Sequence, residues 1–171
     1  ENFNNGVISG ETLFYEENGN LLKRSNYKNG LIDGEMVLYR KNRLLDSIVN
    51  FSAGNLDGKI EVYSQNNILQ LQGNYKNNKR ENLWKLYYNT GDLKMVISYN
   101  HGLKNGRMVV YGKAGEILQT TIYKDNNEVD ITGKIISEGS VEGEDNIVNR
   151  YKRLSYNFEY LKYNKALNNL K

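Results

Sequence analysis

The chain is predicted to be mainly β: an elongated single antiparallel meander of stacked 24-residue β-hairpins, followed by a C-terminal amphipathic α-helix. Three observations predict it. Aromatic residues at Phe3, Tyr27, Phe51, Tyr75, Tyr99 and Tyr123 are each 24 residues apart. Small residues keep fixed offsets from these anchors. After residue 147 the apolar spacing changes to alternating fours and threes.

The anchors define the repeat. Three positions on stand Gly6, Gly30, Gly54, Asn78 and Gly102; seven on stand Gly10, Gly34, Gly58, Asn82 and Gly106. Twelve on come Tyr15, Tyr39, Tyr63, Tyr87 and Tyr111, and eighteen on come Leu21, Leu45, Leu69, Leu93 and Ile117. Sustained self-similarity at such a period marks stacked supersecondary units. The unit is too short and too glycine-rich for a helix pair. Residues 45–51 and 59–63 read as two strands of one unit, with 52–58 as a connection and SQNN (64–67) as a tight turn. The equivalent turns EENG, RKN, NTGD and KAGE are rich in residues that accept positive φ. Asn78 and Asn82 replace glycine where Asn is the next-best residue for a left-handed backbone, which gives the glycines a conformational reason.

Short connections make neighbouring strands antiparallel. Two strands per repeat give about ten strands, roughly 45–50 Å of sheet at about 4.8 Å per strand. Alternation places Thr12/Phe14, Met36/Leu38, Ile60/Val62, Trp84/Leu86 and Met108/Val110 on one face, a stripe that needs cover. The ladder tyrosines lie on the opposite face beside residues such as Glu61 and Lys85. Turn register decides which face the anchors join.

YKNGLIDGEMVLY (27–39) and YNHGLKNGRMVVY (99–111) resemble the MORN repeat in its bacterial variant form. The shared pattern is YKNG, three residues, glycine, four residues, tyrosine, then a turn and leucine. The resemblance covers residues 3 to about 123. It implies an elongated β-hairpin ribbon used as a non-enzymatic interaction scaffold, in a bacterial cell-surface or secreted setting. The alternative it implies is an antitoxin or immunity protein that neutralises a cognate toxin, with a cytoplasmic location. The fourth repeat departs at both glycines, and the pattern fades after Tyr123. The array is therefore expected over residues 1–126, with 127–146 as an acidic linker or last degenerate strand, residues 131–136 being the strand.

Residues 147–171 are predicted to form the helix, with Asp145 or Asn146 at its cap. Its stripe runs through Ile147, Tyr151, Leu154, Phe158 and Leu161. Six cations stand there against Glu159 alone, a net of +5, which leaves −2 for residues 1–146 within the total of +3. Two roles fit: a cap packed on the array, as open repeat arrays need, or a basic face for self-association, a protein partner or a membrane surface.

Composition narrows the chemistry. With no Cys there is no disulfide, thiol nucleophile or thiolate metal site. Abundant Asn, Lys, Ile and Tyr fit an AT-rich bacterial genome, and a start at Glu1 fits a mature or cut product. His101, the only histidine, occupies a variable turn position with no acid or nucleophile at fixed spacing, so no catalytic residue is assigned and the chain is expected not to be an enzyme. Glu142, Glu144 and Asp145 lack calcium-loop spacing, and the glycines match no phosphate-binding loop, so no metal and no cofactor are expected. A net negative array argues against nucleic acid. The candidate binding residues are Tyr15, Tyr39, Tyr63, Tyr87 and Tyr111, rungs about 9.6 Å apart if each step is two strands. Tyrosine joins an apolar body to a polar tip and suits protein interfaces. The competing reading is that the rings only cover and stiffen the face.

Overall fold

Each repeat turns on a two-residue hairpin in which both central residues are left-handed. Asn29 and Gly30 have φ of 51° and 80°, Ala53 and Gly54 45° and 81°, and Asn77 and Asn78 48° and 64°. Two positive φ values give a type I′ turn, whose twist matches the strands it joins. The computed structural model describes residues 3–139, 147–148 and 150–152. The chain divides into two units, Glu1–Val141 and Glu142–Lys171. In the second, residues 147–148 and 150–152 are helical; the rest of the predicted helix lies outside the described residues.

In the first unit β1 (Phe3–Asn4) and β2 (Val7–Ile8) form a small hairpin of their own. The main sheet runs strictly in chain order through β3 (Gly10–Tyr15), β4 (Leu21–Lys28), β5 (Leu31–Tyr39), β6 (Leu45–Ser52), β7 (Asn55–Tyr63) and β8 (Leu69–Lys76). It continues through β9 (Lys79–Tyr87), β10 (Leu93–Asn100), β11 (Leu103–Tyr111), β12 (Ile117–Lys124), β13 (Asn127–Val129) and β14 (Ile135–Ser137). The sheet has 12 strands rather than about ten, every neighbouring pair antiparallel.

The expected connection 52–58 is mostly strand. Ser52 pairs with Asn55 and Phe51 with Leu56, so only Ala53 and Gly54 form the turn. The register then jumps to Val49 against Ile60, leaving three residues of β7 opposite Asn50 alone. Gly58 sits in that bulge at φ 108°, where a Cβ would come within 3.0 Å of the Asn50 Cβ. The glycine seven positions after the anchor therefore bends a strand instead of ending one.

Adjacent corners are joined by backbone bonds. The N–H groups of Gly30, Gly54, Asn78, Gly102 and Asn126 donate to the carbonyls of Ile8, Ile32, Leu56, Arg80 and Lys104, at 2.8–3.0 Å. Where Asn stands for Gly, its side chain adds a return bond: Asn78 Oδ1 accepts from Leu56 N–H at 2.8 Å and Asn126 Oδ1 from Lys104 N–H at 2.7 Å. An acid at the preceding corner accepts from the next turn: Asp33 from Ala53 N–H, Asp57 from Asn77 N–H and Glu81 from His101 N–H.

At the far end the connections are three-residue turns. Arg40 N–H donates to Leu44 O and Arg43 N–H to Arg40 O, with Arg43 at φ 66°. The same bonds start at Glu16, Ser64, Tyr88, Gly112 and Asp130. Asp130 begins its turn seven residues after Tyr123, where Arg40 begins thirteen after Tyr27; the sixth repeat is thus six residues short. That shortfall makes a brief hairpin of β13 and β14, in place of one strand over 131–136. Ile131 falls in its turn and is 93% exposed.

Register settles the face of the anchors. Ser25 pairs with Met36 and Tyr27 with Ile32, so the anchors join the apolar stripe. Tyr27, Phe51, Tyr75 and Tyr99 are buried with Met36, Ile60 and Trp84. Trp84 meets Tyr75 and Tyr99 edge-on at 5.0 and 6.0 Å between ring centroids. Its indole lies over Gly73, where a Cβ would approach to 2.3 Å.

Two outcomes are expected in urea unfolding. Ala53→Asn, which supplies the residue found at the same turn position in Asn5, Asn29 and Asn77, raises stability by about 0.5–1 kcal/mol by easing a left-handed alanine. Gly73→Val lowers it by about 1–3 kcal/mol through overpacking against Trp84, and a Trp84→Leu second change recovers part of the Gly73→Val loss.

Candidate functional site: the polar sheet face

Residues that alternate with the buried stripe form a second face. Glu61 stands opposite Ile48 and Gln72, and Gln72 stands opposite Lys85. The long strands bring Lys59, Glu61 and Tyr63 to this face in sequence, because successive side chains on one face are two residues apart. Glu61 is the hub. Its carboxylate accepts from Tyr63 Oη at 3.2 Å and Gln72 Nε2 at 3.3 Å, and pairs with Lys59 Nζ at 2.7 Å. Tyr87 Oη donates to Gln72 Oε1 at 3.4 Å. Two rungs of the tyrosine ladder, in successive repeats, are therefore tied through one carboxylate and one amide.

Burial first, and then the neighbouring Glu61 carboxylate, push the Tyr63 phenol above the usual tyrosine range. Beside the network lies an open depression of about 340 Å³ lined by Lys59, Gln72, Asn74, Asn82, Leu83 and Lys85. Leu83 is 52% exposed there. Towards β3 the same face carries Arg24, 2.7 Å from Glu35 and 3.6 Å from Glu11.

Of the predicted binding residues, Tyr63 and Tyr87 are brought into one network. Tyr15 is 57% exposed, and Tyr39 and Tyr111 are half-buried. Tyr111 lines a separate shallow hollow with Leu93 and Lys113. The ladder also serves the scaffold through its backbone. The Arg40 guanidinium donates to the Tyr63 carbonyl, and Tyr88 Oη donates to the Tyr111 carbonyl at 2.8 Å, each 23 residues along. His101 is an exposed turn residue at φ 51°, its Nδ1 2.6 Å from Asn100 Oδ1 and 3.6 Å from Glu81 Oε1.

Asp33, Asp57 and Glu81 share one register, 24 residues apart, a signal already present in the repeat alignment. Gln72 carried no such mark. Its partnership with Tyr87 needs the strand pairing. Among the described residues no three His, Asp or Glu side chains gather where they would hold a metal ion, and no helix is long and apolar enough to cross a membrane.

A single sheet of hairpins stacked in chain order, each corner bonded to the last, defines an open β-repeat protein. Three stretches of the chain, residues 2–29, 56–77 and 80–101, match the MORN repeat variant. No curated protein matches the sequence. Among solved structures, the crystal structure of a GtfA/B complex bound to UDP and GlcNAc is similar over 63% of this chain, at 10% identity and a TM-score of 0.26. The match spans 21% of that structure's chain, and a likeness so distant carries no functional argument.

A spectrophotometric titration of tyrosinate, taken as the difference between the parent and Tyr63→Phe, is expected to place the Tyr63 phenol above the ordinary tyrosine value. Glu61→Gln brings it part of the way back, since burial is the larger cause. A pKa raised in the folded state leaves the Tyr63 contribution intact below the unfolded tyrosine value, about 10, and removes it as pH rises through the folded value.

Proposed function

We propose that this protein is a non-enzymatic binding scaffold that meets a protein partner on its polar sheet face, around Tyr63 and Tyr87. MORN repeats are commonly found in protein- or membrane-binding scaffolds, which supports this reading. The observation that carries the reading is the Tyr63–Glu61–Gln72–Tyr87 network. It holds two amphipathic rings in place before any partner arrives. Interface residues whose rotamers are already fixed lose less entropy on binding. The exposed Leu83 adds an apolar contact beside the two lysines of the depression. A bacterial cell-surface or secreted setting belongs to the same proposal, and an export signal in the complete gene would support it.

The double variant Tyr63→Ala/Tyr87→Ala is expected to keep its circular dichroism and cooperative melting. Its affinity for the partner isolated with the parent chain falls at least about tenfold, the loss typical of one or two buried tyrosine anchors. Equal affinity of parent and variant would remove the ladder as the binding surface.

A further inference from the structure

The shortened sixth repeat leaves part of one strand without an outer neighbour. In complete repeats the strand before each corner is paired on both sides. Lys23–Ser25 of β4 carry Met36–Leu38 of β5, Ser47–Val49 of β6 carry Ile60–Val62 of β7, and Met95–Ile97 of β10 carry Met108–Val110 of β11. The equivalent stretch of β12, residues 119–121, pairs with β11 on one side. On its other side β13 reaches only Ile122, Tyr123 and Lys124 before its turn at Asp130. Among the described residues nothing pairs with the outer side of residues 117–121.

This edge is uncharged and apolar at one end. Ile117 and Leu118 are each 62% exposed, and Gln119 and Thr120 are exposed beside them. Residues 119–121 lack the charges and prolines that usually blunt an open edge, and the register shift at Leu118 lies just outside them. Complete repeats pair outward only at the three positions equivalent to 119–121, so the vacated slot is about 10 Å long, with Ile117 and Leu118 flanking it. The β13–β14 turn closes one end, and the other is open.

We propose that residues 119–121, flanked by the exposed Ile117 and Leu118, form a strand-addition site that takes an extended segment of a protein partner, antiparallel to β12. The complete repeats state the chemistry of the occupant. The strands that fill this position elsewhere end in MVLY (36–39), IEVY (60–63) and MVVY (108–111): two apolar residues flanking one variable residue, then tyrosine. An uncharged slot favours an uncharged segment of that pattern. Backbone bonds supply the affinity and alternate side chains the selectivity, as in other β-augmentation sites. The site is separate from the polar-face network and stands or falls without it.

The probe is a fluorescent, end-blocked pentapeptide copying the uncharged MVVYG (108–112), titrated into the intact chain by anisotropy. Saturable binding in the range of about 0.1–1 mM is expected. Methylating the amides of alternate peptide residues should abolish binding in one set and spare it in the other, because only one set faces β12. Leu118→Asp, at an exposed position, should weaken binding roughly tenfold while leaving the melting curve unchanged. Three results would overturn the proposal. One is no saturable binding. Another is binding indifferent to both methylation patterns and to Leu118→Asp. The last is a parent chain that self-associates through this edge, becomes monomeric in Leu118→Asp and ignores the peptide.

Discussion

Every repeat depends on a backbone held left-handed at two consecutive residues. The type I′ turn after each anchor reverses the chain within two residues and aims the next N–H at the carbonyl of the previous corner. That bond makes the spacing rigid: one inserted residue would turn each following side chain to the wrong face. Left-handed geometry costs an ordinary L-residue about 1–2 kcal/mol, which Gly avoids and Asn offsets with its side chain. Asn78 and Asn126 use the second route, each returning a bond to the strand that received its N–H. The substitution therefore exchanges backbone freedom for a side-chain hydrogen bond, and the corner survives it.

The two faces follow from that constraint. Once register is set, the anchors share a side with Met36, Ile60 and Trp84, and Glu61, Gln72 and Lys85 take the other. The buried face has no slack around its largest side chain, since Trp84 uses the volume a β-carbon at Gly73 would need. The polar face works differently. Its order comes from a carboxylate with several donors, Glu61, and from an amide that passes the connection to the next repeat. One face stabilises the sheet by excluding water. The other presents fixed polar and aromatic groups to water, the condition a binding surface requires.

Loss of six residues from the sixth repeat has a topological consequence. An antiparallel meander satisfies every inner strand from both sides, so removing half a strand uncovers half of its neighbour. Among the described residues the sheet closes with a short hairpin at the corner, and residues 119–121 of β12 have a strand partner on one side.

The spacing of anchors, glycines and ladder tyrosines determined the repeat, its antiparallel order and the stripe of Met36, Ile60 and Trp84, because period and alternation are local properties of a chain. The same alignment held the Asp33, Asp57 and Glu81 register, although its purpose appears only when each acid is seen under the next turn. Only the tertiary structure decided that the seventh-position glycines bend strands, that the anchors join the apolar face, and that Tyr63 and Tyr87 meet through Gln72. Those outcomes rest on bulges and on pairing between residues more than ten positions apart, where a shift of one residue exchanges the faces, and no periodicity in the sequence distinguishes the two registers.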